Sequence, residues 1–181
     1  MTEKDLNRSL ELAREHGFTH TGILDPATLK LMPEVRDMCL ANTCGQYDKN
    51  WACPPGCGTL EECRQKVSGY RSGILVQTMG ELEDSMDFEA MIELEQRHKK
   101  NFMDLRQTLS RSYPKLLPLG AGACTLCKTC TYPDEPCRFP ERSISSMEAY
   151  GLLVTQICAD NGIKYYYGPN TLAYTSCFLL E

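Results

Sequence analysis

SGILVQTM, residues 72–79, is an apolar run interrupted only at Gln77 and Thr78. A run of this length predicts a buried strand, since a buried helix would need to be longer. Beyond it, Met91, Leu94, His98, Phe102, Leu105 and Leu109 recur at steps of 3, 4, 4, 3 and 4 residues. That spacing keeps one face of a helix buried over about 85–111, and Pro114 closes it.

Outward from this unit, strands and helices go on alternating. Residues 3–16 predict a helix with Thr2 as N-cap, Asp5 three residues later, and Leu6, Leu10 and Ala13 as its buried stripe. A strand over 19–24 stops at Asp25-Pro26, and Thr59 with Glu62 forms a capping box that opens a helix over 60–68. Downstream, 116–121 predicts a strand and 146–160 a helix capped by Ser145 and Glu148. Residues 164–167 and 171–179 flank Gly168-Pro169-Asn170 as a terminal hairpin would. The expected fold class is α/β, a mixed sheet flanked by helices in one domain over residues 1–181. Cysteine-rich loops, about 39–63 and 120–140, would sit at one edge.

Composition narrows the function. Net charge is −5 and the isoelectric point about 5.3, which argues against a general nucleic-acid binder. No apolar run approaches the ~20 residues that span a bilayer, and the opening residues lack the apolar core of a signal peptide. The expected location is therefore cytoplasmic. In that reducing compartment the 11 cysteines point to metal or catalysis before disulfides.

Four cysteines crowd one loop: Cys124, Cys127, Cys130 and Cys137. Three thiolates at x2 spacing can hold three corners of a cuboidal iron–sulfur cluster, and Gly120-Ala-Gly-Ala123 lets backbone approach closely. Lys128 and Arg138 would offset the charge of a four-thiolate centre. The spacing departs from the ferredoxin run in its last gap, so Cys137 could serve either of two sites. Structural zinc favours two separated pairs and makes a third x2 cysteine superfluous.

The second group is Cys39, Cys44, Cys53, Cys57 and Cys63, five thiols for a four-ligand site. Cys39, Cys44 and Cys53 are joined by either Cys63, in the first turn of the helix capped at Thr59, or Cys57, in a flexible Gly-Cys-Gly loop. Residues 39–58 lack periodicity and predict a ligand loop, with Trp51 either shielding a cluster or anchoring the loop.

Met38-Cys39, Asn42-Thr-Cys44, Trp51-Ala-Cys53-Pro-Pro55 and Gly58-Thr-Leu-Glu-Glu-Cys63, with Gly120-Ala-Gly-Ala-Cys124, Glu135-Pro-Cys137-Arg-Phe-Pro140 and Ser146-Met-Glu-Ala-Tyr-Gly151, resemble the predicted metal-binding protein family, domain of unknown function 2284. The resemblance implies metal binding through the cysteines just quoted and names no activity.

Other conspicuous residues have ordinary readings. Cys158 and Cys177 predict small buried hydrophobes, and His98 on the apolar stripe a hydrogen-bonded core histidine. Tyr165, Tyr166 and Tyr167 read as packing or partner surface, while Gly120-x-Gly122 lacks the lysine of a phosphate loop.

Two 4Fe-4S clusters in an electron-transfer protein, working with a larger redox partner in an anaerobic setting, explain both cysteine groups. The alternatives are an enzyme whose cluster keeps an open iron for a small molecule, and a structural zinc-binding interaction protein. No catalytic residue is identifiable from the sequence.

Overall fold

The computed structural model describes residues 2–181. Two ten-residue strands form its centre, Ser72–Glu81 (β2) and Thr171–Leu180 (β4), paired antiparallel from Ser72 against Leu180 to Glu81 against Thr171. His20–Leu24 (β1) adds to the free edge of β2, and Leu116–Leu119 (β3) to that of β4, giving the order β1-β2-β4-β3.

Alternation along the strands divides the core into two layers. Ile74, Val76, Phe178 and Leu180 face one side, where Leu10 and Ala13 of helix α1 (Glu3–Glu15) meet Phe102, Leu105 and Leu109 of helix α4 (Phe88–Leu109). Leu75, Cys177 and Leu179 face the other side, toward Val67 of α3 (Leu60–Ser68) and Ile157 and Cys158 of α5 (Val154–Asp160). Helices thus cover both faces.

The α/β layering is as expected, but every ladder is antiparallel, so the sheet is not mixed. A continuous apolar run such as ILV at 74–76 requires both sheet faces to be covered, and helices achieve that here without parallel pairing. A fifth helix, α2 (Pro33–Leu40), enters what the sequence predicted to be the start of a ligand loop. Pro33 at its first position is the signal that marks it.

Two further expectations are corrected. Residues 164–167 form no strand, and both edges of β4 are already taken by β2 and β3, which leaves no place for a terminal hairpin. The helix expected over 146–160 is a 3-10 turn, Glu148–Tyr150, then α5, parted at Gly151 in the left-handed region (φ 78°). A Cβ there would come within 2.7 Å of Leu60 Cδ1 and 2.9 Å of the Met32 carbonyl, so the break belongs to the packing. Both other predicted capping boxes, Thr2/Asp5 and Thr59/Glu62, are formed.

His98 is a core residue, 1% exposed, with Thr78 Oγ1 2.8 Å from Nδ1 and Ser176 Oγ 2.7 Å from Nε2. Burial pulls its pKa down to about 3, with Lys99 acting in the same sense. The unfolded chain therefore binds a proton near pH 6.5 that the folded chain refuses until about pH 3. Stability should be fully present above pH 6.5 and fall below it, by up to about 1.4 kcal/mol per pH unit from this group. Urea unfolding of wild type and His98→Asn at pH 7 and pH 5 should show the smaller loss in the variant; equal losses would refute the assignment.

Candidate metal centre

Both cysteine loops are rooted in the layer above β4. Loop 120–140 leaves the edge strand β3, where Gly120 donates its N–H to the Ser145 carbonyl and its own carbonyl accepts from Met147 N. Lys99 of α4 donates to the Ala123 carbonyl (3.3 Å) and pairs with Glu95 (2.6 Å), tying the root of the loop to the helix layer. The first loop runs from α2 to α3. Arg36 holds its two ends to the 3-10 turn, donating to Ala149 O at 2.7 Å and Gly58 O at 2.8 Å.

Asn50, 4% exposed, shapes the interior of this first loop. Its Oδ1 accepts from Ala52 N and its Nδ2 donates to Gln46 O, while Asp48 N donates to Pro54 O. The second loop closes on itself through Thr131 Oγ1 to Pro136 O and Arg138 to Thr129 O.

The two loops are stapled together. Trp51 Nε1 donates to the Glu135 carbonyl (3.0 Å), the Tyr132 hydroxyl donates to Asp48 Oδ1 (2.8 Å), and the two rings meet edge to face at 4.8 Å. Gly56 lies so close to Tyr132 that a Cβ would stand 3.0 Å from its ring. Trp51 is thus an anchor, and what it anchors is the other cysteine loop.

The nine candidate thiols do not share one environment. Cys39, Cys44 and Cys124 lie near enough to Cys53 for their charges to act on it. Burial pushes the Cys53 thiol up, an Asn50 hydrogen bond opposes this, and the charges of Cys44, Cys39 and Cys124 add to the rise. Cys39, near the end of α2, is likewise pushed up by burial, against Arg36.

Cys130 lies on the loop that also carries Cys127 and Cys137. Burial alone would push its thiol up, yet backbone N–H donation from Tyr132, Trp51 and Thr131, with Arg138 nearby, holds it below the ordinary range. One of those three donors comes from the other loop. Lys128 makes no such contact.

Cys57 and Cys63 share a different environment, under Arg36. Both are buried (7% and 0%), and one guanidinium nitrogen of Arg36 stands 3.7 Å from Cys57 Sγ and 3.9 Å from Cys63 Sγ. The Cys57 thiol faces the Ala149 carbonyl (3.6 Å) and the Cys63 thiol the Cys57 carbonyl (4.0 Å), and the nearness of the two thiols holds Cys63 down and Cys57 well up. Cys158 and Cys177 are buried in the core as expected, with burial pushing both thiols up.

Among the described residues, no three Cys, His, Asp or Glu side chains converge to the distances of a bound metal ion. Soft sulfur donors in two stapled loops nonetheless match the donor set of iron–sulfur or zinc chemistry. Arg36, Asn50 and the Trp51–Tyr132 contact were not legible from motif spacing. Arg36 lies one helical turn before Cys39, so reading Pro33 as a helix start would have placed it.

The family model described as predicted metal-binding protein (DUF2284) matches residues 22–180, and the chain belongs to that family. No curated protein and no solved structure matches it.

If Trp51 is the staple, Trp51→Phe keeps a ring against Tyr132 and removes the donor to Glu135. It should cost about 1 kcal/mol of stability and speed amide exchange across 131–136. Unchanged exchange in that segment would show that the loops do not depend on this bond.

Proposed function

Starting from membership of a metal-binding family, we propose that the chain is an iron–sulfur protein carrying two 4Fe-4S clusters, which passes electrons to a larger redox protein. The observation that carries this reading is the stapling of two cysteine-bearing loops, Trp51 Nε1 to the Glu135 carbonyl at 3.0 Å and the Tyr132 hydroxyl to Asp48 at 2.8 Å. Loops held to each other and rich in soft sulfur suit cluster ligation, where thiolates hold the iron and nearby donors offset the charge.

The ligands we assign are Cys39, Cys44 and Cys53, with Cys124 beside them, and Cys127, Cys130 and Cys137 along the second loop. Cys124 would then cross from its own loop to the first site, as ligands do when two clusters share a pair of motifs. When bound, such clusters supply one-electron transfer. The chain would hold the sulfur atoms in loops stapled by Trp51 and Tyr132, and Arg138 would help to offset their charge.

A second reading is favoured by a specific observation. A cleft of about 590 Å³ opens between the loops, lined by Trp51, Cys57, Lys66, Glu135, Cys137 and Tyr150. Of the second-loop thiols Cys137 borders it, and an enzyme acting there on a small molecule would use an iron that the protein leaves unligated.

Protein prepared without air should be brown and contain about eight iron and eight sulfide per chain, with a paramagnetic signal on reduction. Cys130→Ser should lose about half of the iron. Colourless, sulfide-free protein that retains stoichiometric zinc would instead make this a structural zinc protein.

A further inference from the structure

Cys57 and Cys63 stand apart from the seven thiols assigned above, and their surroundings differ in kind. They share a single cation, Arg36, one nitrogen of which is 3.7 Å from Cys57 Sγ and 3.9 Å from Cys63 Sγ, and the Cys63 thiol also faces the Cys57 carbonyl at 4.0 Å. Arg36 is fixed by two carbonyl oxygens, at 2.7 Å and 2.8 Å, so its charge stays at the pair. Cys63 also lies in the first turn of α3, whose N-terminus favours an anionic sulfur. Cys57 follows the turn closed by its own N–H to Cys53 O, and it borders both the cleft between the loops and a second one against Glu62 and Lys66.

We propose that Cys57 and Cys63 are a dithiol exchange site, reached from the cleft through Cys57, whose substrate is a low-molecular-weight disulfide. Two adjacent thiols, one facing a cleft and one behind it, beside a fixed guanidinium, are the requirements of exchange followed by intramolecular closure. Both sulfurs already have the Arg36 guanidinium against them, at 3.7 Å and 3.9 Å.

The chemistry balances without any bound metal. Cys63, whose own proton has gone to solvent, takes the Cys57 proton as the Cys57 sulfur attacks one sulfur of the disulfide RSSR; the Cys57–SR bond forms as the S–S bond breaks, and RS⁻ leaves. Cys63, its proton released to solvent, then attacks the Cys57 sulfur and expels the second RS⁻. Both departing thiolates take up protons. The dithiol has lost two electrons and two protons, and RSSR has become two RSH. Arg36 holds the anionic sulfur in each step and is not consumed.

The site is independent of the cluster reading, and one experiment separates the two. Anaerobically prepared whole protein is treated with hydroxyethyl disulfide, denatured, alkylated and digested with trypsin. Residues 50–64 form one tryptic peptide that carries Cys53, Cys57 and Cys63. The expected product has Cys53 alkylated and is lighter by two hydrogens through a Cys57–Cys63 bond, while Cys63→Ser stops at a mixed disulfide on Cys57. Iron and sulfide content of Cys57→Ser and Cys63→Ser should equal that of wild type. A wild-type product that stays a mixed disulfide, pairs Cys57 with Cys53, or leaves all three thiols free would overturn the proposal. So would loss of iron from either variant, which would make these residues ligands and leave the iron–sulfur reading standing; zinc in place of iron would fail that reading alone.

Discussion

The structure depends on the ten-residue antiparallel pairing of β2 with β4, buried on both faces. Backbone groups at the centre of a two-sided core can find partners only in the ladder, so a strand there must be paired along both edges or lose several kcal/mol per exposed group. β1 and β3 supply those second partners, and helices on both sides then follow from the apolar faces the strands present. The cysteine loops add nothing to this centre. They are carried by it, one from the edge strand β3 and one between two short helices on the α3–α5 face.

The parts of the fold legible in the sequence were those with a local physical cause. The run at 72–79, the stripe from Met91 to Leu109 and the two capping boxes each state their own structure in a few neighbouring residues. What failed was non-local. Gly151 breaks a helix because Leu60 and Met32 crowd it from elsewhere in the chain, and periodicity over 146–160 carries no trace of them. Strand direction was illegible for the same reason: an apolar run records that both faces are covered, not which way its neighbours run.

The site divides along the same line. Spacing singled out nine cysteines, since thiol density is a property of short segments. It could not say that Cys57 and Cys63 sit under one guanidinium, because Arg36 reaches them from α2 while also holding the 3-10 turn at Ala149. Nor could it show that Trp51 of one loop binds the backbone of the other. These cross-segment contacts decide which sulfur atoms share an environment, and hence which can share a metal.

A polar belt links the core to the loops. Gln77 and Thr175 meet on the α5 face (3.0 Å), where Gln77 also binds the Tyr167 hydroxyl and the Lys164 carbonyl. On the opposite face His98 bridges Thr78 and Ser176. Buried polar groups of this kind are costly when unpaired, so they punish any slip in the β2–β4 register. A two-residue slip would keep every apolar side chain on its proper face, so the apolar pattern alone would tolerate it. It would leave Gln77 and His98 without their partners. Because Leu119 of β3 pairs with Cys177 on the same β4 strand, that slip would also move the root of the Gly120 loop by about 7 Å relative to β2. The polar belt thus fixes where the second cysteine loop starts, and with it whether Trp51 and Glu135 can meet.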